Sequence, residues 1–241
     1  DAETHDRFRG FSGSFERTVQ TIANVWEAGL PLQINTTVCA LNADGLEAMV
    51  PLLEEWGAVQ WSLFFLVPTG RGTDLPMLSA GDHERVLNWL YELSLSSRFD
   101  IKATNAPQYR RIAFHRAQAG GSQAAASAGA GYRFADGLQR PAKGVGDGRG
   151  FMFISHRGDV MPSGFLPLSA GNVRLRDPVE IYRSAPLFRR LRNPLLLGGK
   201  CGSCEFRTLC GGSRARAYAA TGDYMAADPS CPYQPKAQPG A

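Results

Sequence analysis

The sequence predicts an α/β fold in two unequal parts. Three observations predict it. Helix and strand patterns alternate as α, β, α, β, α, β through residue 104, and Trp61 to Val67 is an unbroken apolar run of the kind buried on both faces of a parallel sheet. After residue 150 the pattern changes to a short hairpin, which leads to four clustered cysteines. The alternation implies right-handed crossovers and therefore a parallel sheet or barrel.

Residues 14 to 28 open the series, placing Phe15, Val19, Ile22 and Trp26 at helical spacing, with Ser14 as N-cap and Gly29 just past the end. Leu32 to Val38 is β-branched and ends in the turn formers Asn42 and Asp44. Asp44 and Glu47 then form a capping-box pattern for a helix to Trp56, which Pro51 should kink. The apolar strand from Trp61 stops at Pro68-Thr69-Gly70-Arg71-Gly72. Ser79 and Asp82 start a helix through Val86, Leu87, Leu90 and Leu93, Phe99 to Thr104 is a short strand, and a helix runs from Gln108 to about Gln118.

Residues 119 to 150 are rich in Gly and Ala and read as a loop or linker. The glycines between Gly144 and Gly150 miss the G-x-G-x-x-G register and precede a strand, so they are assigned to that linker rather than to a nucleotide. From Phe151 a hairpin turns at Arg157-Gly158-Asp159, and Asp177 with Pro178 and Pro186 mark two helix starts. The expected organisation is thus 1–118, the linker 119–150, and a small module 151–241.

With 241 residues and 44% hydrophobic content, the chain can bury a sizeable core. No apolar run reaches 18 residues and no signal-like leader opens the sequence, which predicts a cytoplasmic protein without a membrane span. A net charge of +4 is spread from Arg7 to Lys236 instead of forming a stripe, so no nucleic-acid partner is expected. Five cysteines, an odd number, do not read as the framework of a secreted disulfide domain.

Cys201, Cys204, Cys210 and Cys231 have the spacing C-x2-C-x5-C-x20-C. Four soft sulfur ligands suit zinc or an iron-sulfur cluster. Gly211 and Gly212 allow a tight turn beside the site, and Ser213 can cap a helix ending at Gly222. Lys200, Arg207, Arg214 and Arg216 lie close in sequence to thiolates whose cluster would be net negative. The alternative is a zinc-stapled, non-enzymatic binding module, although zinc sites more often pair two C-x2-C knuckles.

Other candidates carry less. His5, His83, His115 and His156 lack metal-binding spacing and read as surface or loop residues. Ser163 and Ser213 lack a nucleophile elbow. Cys39, alone at a strand end, reads as a small buried hydrophobe. Thr36, Thr37, Pro68, Thr69, Gly70 and Arg71 fall at strand ends, where barrel sites assemble, though turn chemistry alone also accounts for them.

The C-x2-C-x5-C motif ending in Gly211-Gly212, the later Cys231, the hairpin ISHRGDVMPSG and AGNV at 170 to 173 together resemble the radical SAM/SPASM family. Upstream, Gln33 to Val38, Leu66 to Gly72 and Ile101 to Asn105 resemble the later strands of its barrel, and THDRFRGFSGSF resembles the segment after the third strand. The resemblance implies the second half of a partial βα barrel followed by a SPASM domain. It also implies one auxiliary 4Fe-4S cluster on the four cysteines, as in the haem-biosynthesis branch, because Arg214 stands where two-cluster forms have their next cysteine. It places Thr36, Thr37, Pro68, Gly70 and Arg71 near S-adenosyl-L-methionine. The family's C-x3-C-x2-C motif is absent, so the chain is expected to be a C-terminal fragment unable to generate a radical by itself. The intact enzyme would add a second 4Fe-4S cluster, cleave S-adenosylmethionine, draw electrons from a donor such as flavodoxin or ferredoxin, and modify a porphyrin or peptide substrate.

Overall fold

The structure is a computed structural model and describes residues 1–120 and 145–236. It opens with a helix that sequence patterning missed, α1 (Ala2–Arg9), which buries no side chain. Asp1 caps it through the Thr4 amide, and Gly10 closes it in the left-handed region at φ 67°. The next helix, α2 (Ser14–Glu27), corrects the cap assignment: Gly13 is the N-cap residue and Ser14 already lies inside the helix. The acceptor comes from α1, where the Asp6 carboxylate receives the amides of Gly13 at 2.6 Å and Phe15 at 2.8 Å and the Ser14 hydroxyl at 2.9 Å. Trp26, expected on the packed face, is 65% exposed.

Strands β1 (Gln33–Val38), β2 (Gln60–Phe65) and β3 (Asp100–Thr104) form a parallel sheet in that order, with Val38 opposite Phe65 and Phe64 opposite Thr104. The α/β expectation is met here. Trp61 and Leu63 on β2 are wholly buried, as a central strand covered on both faces requires. They meet Leu53 of α3 (Leu46–Glu55), Leu87 and Leu90 of α4 (Ala80–Ser96), and Tyr109 and Ile112 of α5 (Gln108–Gly120) in one core.

Ser79 caps α4 as expected: its hydroxyl accepts the Asp82 amide at 3.0 Å and donates to the Asp82 carboxylate at 2.7 Å. The capping box proposed for α3 does not form. A single 3-10 turn, Ala43–Gly45, leads into that helix, and Asp44 instead pairs with Arg85 at 3.3 Å on the surface. Pro51 lies inside α3.

The second part is antiparallel. Its strands are β4 (Phe153–Ile154), β5 (Asp159–Met161) and β6 (Gly171–Asn172), and the hairpin turns through Gly158 at φ 87°. Helix α6 (Pro178–Ser184) is capped by Asp177, and α7 (Pro186–Leu191) starts at the second predicted proline. The short α8 (Gly199–Ser203) and α9 (Arg214–Thr221) follow, the latter capped by Ser213 and ended by Gly222 at φ 77°.

Residues 121–144 of the expected linker lie outside the described residues. Residues 145–150 are more than a linker. Asp147 is buried, and its carboxylate accepts the Ala215 amide at 3.0 Å in the first turn of α9. The Gly148 amide donates to the Pro162 carbonyl at 2.9 Å.

The two parts pack together. Val67, just beyond β2, shares a cluster with Leu166, Leu191 and Ala215. Among the described residues, no helix is long and apolar enough to cross a membrane.

Candidate metal centre

The four clustered cysteines come from three local structures. Cys201 sits within α8 and is buried, whereas Cys204 forms its C-cap with extended backbone. The chain then folds back on itself: the Arg207 amide donates to the Cys204 carbonyl at 3.0 Å and the Cys210 amide to the Phe206 carbonyl at 2.7 Å. Gly211 and Gly212 follow at φ 69° and 65°, a pair of left-handed residues that turns the chain from Cys210 into α9. Cys231 arrives from the tail, its amide bonded to the Asp228 carbonyl at 3.3 Å.

All four thiols line one concavity of ≈ 360 Å³, including its open mouth, together with Arg111, Lys200, Phe206, Arg207 and Tyr233. Among the described residues, no three His, Cys, Asp or Glu groups converge within reach of a single metal ion. A Cβ on Gly212 would meet the Cys201 sulfur at 3.2 Å and the Arg214 guanidinium at 2.6 Å, so the bare backbone is what leaves room beside the thiols. Four soft donors around a hollow fit a thiolate-ligated cluster.

Burial sets the electrostatics of the free thiols. Burial pushes the Cys210 thiol up to about 12 and also raises Cys204 and Cys231. Thiols in that condition ionise when a cationic core supplies the missing charge. Backbone amides already point at the sulfurs: Phe206 N–H donates to Cys204 Sγ and Gly212 N–H to Cys210 Sγ, both at 3.4 Å.

The basic residues expected here divide. Lys200 and Arg207 line the concavity, Lys200 donating to the Cys231 carbonyl and Arg207 to the Gly202 carbonyl at 2.9 Å. The Arg214 guanidinium reaches Cys201 Sγ at 3.9 Å. Arg216 instead turns away, donating to the Asn105 carbonyl at 3.0 Å and pairing with Asp228 at 3.5 Å.

Sequence reasoning missed several neighbours. Arg111 of α5 lies 4.7 Å over the Tyr233 ring and pairs with Glu84 at 2.6 Å, while Arg110 donates to the Leu209 carbonyl. Asp228 is a fully buried hub that accepts the Ser213 amide at 2.7 Å, the Ser230 amide at 3.0 Å and the Gln108 side chain at 2.7 Å. Burial alone would raise its pKa, but Arg216 and those amides outweigh it and hold the carboxyl below its usual range.

Thr36, Thr37, Pro68, Gly70 and Arg71 gather at the carboxyl edge of the sheet, because β1 and β2 are parallel and in register. None of them lines the cysteine concavity. The Thr36 hydroxyl accepts the Trp61 indole N–H at 2.9 Å, and Arg71 is exposed. Cys39 is wholly buried, and the Ser163 hydroxyl accepts the Phe165 and Leu166 amides in its own turn. His156 is exposed as expected, but His83 corrects the surface reading. Only 2% exposed, it packs 4.7 Å from the Phe65 ring.

No family model matches the chain. It is 45% identical, over 98% of its length, to the AdoMet-dependent heme synthase of Methanosarcina barkeri, and covers 65% of that protein. It is 42% identical, also over 98% of its length, to the AdoMet-dependent heme synthase of Nitratidesulfovibrio vulgaris, covering 63%. Likeness to a PqqA peptide cyclase of Xanthomonas euvesicatoria is lower, at 27% over 98% of the chain and 59% of the relative. The fold resembles that of Streptococcus suis SuiB bound to S-adenosylmethionine, with a TM-score of 0.58 over 93% of this chain and 50% of that one, at 14% identity.

Proposed function

The chain belongs to the radical SAM/SPASM family, and from that premise we propose that it carries an auxiliary four-iron four-sulfur cluster on Cys201, Cys204, Cys210 and Cys231 within an enzyme of haem biosynthesis. The observation that carries this reading is the convergence of all four thiols on one concavity with a cationic lining. When bound, such a cluster stores and passes single electrons beside the substrate. The protein's own residues prepare the place: Lys200, Arg207 and Arg111 offset the negative charge, and the Phe206 and Gly212 amides stabilise thiolate sulfur. A mononuclear zinc site would draw its sulfurs within reach of one ion. A cationic lining around four thiols in a single concavity suits the larger, net-negative cofactor.

In this reading residues 1–118 are a half-barrel, residues 151–241 the cluster domain, and Thr36, Thr37, Pro68, Gly70 and Arg71 contact S-adenosylmethionine at the carboxyl edge of the sheet. Cleavage of that cofactor requires a C-x3-C-x2-C cluster, which is not among these residues, so the step belongs to a longer protein. An electron donor of the flavodoxin or ferredoxin kind serves that protein. Between porphyrin and peptide substrates, the porphyrin is favoured, because identity is 45% to a heme synthase and 27% to a peptide cyclase.

Iron and acid-labile sulfide analysis of anaerobically purified protein tests the cluster. Iron and sulfide in equal amounts are expected, with loss of both in Cys204→Ala. Stoichiometric zinc without sulfide overturns the proposal in favour of the zinc-stapled binding module.

A further inference from the structure

The structure points to a second kind of residue at this centre, one that tunes the cofactor without ligating it. We propose that Arg214 is a positioning residue that raises the reduction potential of the cluster. The inference rests on the cluster assignment above and goes beyond it.

Arg214 is only 6% exposed, which is unusual for a charged side chain. Its guanidinium is locked from three sides: Nη1 donates to the carbonyls of Tyr224 at 3.0 Å and Ala226 at 2.6 Å, and Nε donates to the Gly212 carbonyl at 3.3 Å. These bonds leave Nη2 directed at the Cys201 sulfur, 3.9 Å away. Gly212 makes the approach possible, since a Cβ there would collide with Nη2 at 2.6 Å. Among the described residues, no other basic side chain at the centre is bonded to a cysteine sulfur, and Arg111, which also lines the concavity, pairs with Glu84. Lys200 and Arg207 bond backbone carbonyls at the rim, and Arg216 faces Asn105 and Asp228.

One-electron reduction adds a negative charge to a thiolate-ligated core that is already negative, without breaking an iron-sulfur bond. A fixed positive charge and an N–H donor at one ligating sulfur stabilise the reduced form more than the oxidised one. Burial keeps that interaction from being screened away. Cys201 is itself buried, so the donor acts on its sulfur where solvent screening is weak.

The test is a redox titration followed by electron paramagnetic resonance, with dithionite supplying the electron, on wild-type protein, Arg214→Gln and Arg214→Lys. Iron and sulfide are measured first on each. Arg214→Gln is expected to keep its cluster and titrate at a more negative potential, whereas Arg214→Lys, which keeps the charge, stays near wild type. A fully loaded Arg214→Gln with the wild-type potential overturns the inference, as does an equal shift in both variants. Should Arg214→Gln not fold, wild-type protein carrying ¹⁵N in its arginine guanidinium groups is examined by electron-nuclear double resonance. A guanidinium nitrogen coupled to the reduced cluster is expected, and its absence overturns the proposal. Wild-type protein that holds no iron and sulfide refutes the cluster assignment instead.

Discussion

At the scale of single residues, Asp6 shows how one carboxylate sets the entry of the chain. It joins α1 to α2 by accepting the Gly13 and Phe15 amides and the Ser14 hydroxyl. Partial burial acts to raise its pKa, but the Phe15, Ser14, Gly13 and His5 contacts outweigh that and lower it from 3.8 to about 2. A depressed carboxyl stabilises the fold above its unfolded pKa and loses that contribution as pH falls through its folded pKa. Asp6→Asn is therefore expected to melt below wild type at pH 7, with the gap closing between about pH 4 and pH 2. Thermal unfolding across that range checks it, and a gap independent of pH would assign the effect to something other than the charge. The same residue explains why the Ser14 cap was misread: the true acceptor lies eight positions upstream, on a polar helix without any apolar stripe.

Elements whose signals are local were legible, and those decided by distant groups were not. Helix α4 begins where Ser79 and Asp82 say it should, because the capping hydroxyl and the amide it receives lie within one turn. The capping box proposed for α3 does not form because Asp44 lies inside the 3-10 turn Ala43–Gly45 instead of at the N-cap, and its exposed carboxylate pairs with Arg85. Strand β2 was legible because a strand covered on both faces has no polar alternation, and its burial carries an expected outcome. Leu63 is wholly buried between helices, so Leu63→Ala removes apolar contact and leaves a cavity, at a cost of about 2–5 kcal/mol. Urea unfolding with an unchanged slope measures that loss. A change under about 0.5 kcal/mol would mean the site collapses around the smaller side chain. The segment 145–150 escaped notice for the opposite reason: its glycines look like a linker, and only the packed structure shows Asp147 accepting the Ala215 amide of α9.

Across the whole molecule, the cysteines were readable from spacing while much of the shell that positions them was not. Arg111 and Gln108 reach the centre from α5, each about 120 positions before its partner region at Cys231 and Asp228, a separation at which no local pattern operates. What joins the parallel sheet to the cysteine module is a buried polar junction. Arg216 and Asp228 are 1% and 0% exposed, and Arg216 donates to the carbonyl of Asn105, a residue held at φ 58° immediately after β3. Gln108 donates to the same carboxylate that receives Ser213, so one side chain ties α5 to the turn that follows Cys210. Removing the cation alone leaves Asp228 ionised and buried, and breaking a buried pair in this way costs about 3–5 kcal/mol. Arg216→Met is accordingly expected to unfold at lower denaturant and, with the cluster proposed above in place, to lose iron at the same concentration at which its secondary structure melts. In wild type the two signals should coincide at a higher midpoint. If Arg216→Met instead matches wild type, the junction is not what couples the sheet to the cysteines. If it releases iron while the sheet stays folded, the pair supports the tail locally and the two parts melt independently. Replacing Arg216 and Asp228 together, by Met and Leu, should recover part of the loss, because no uncompensated charge then remains.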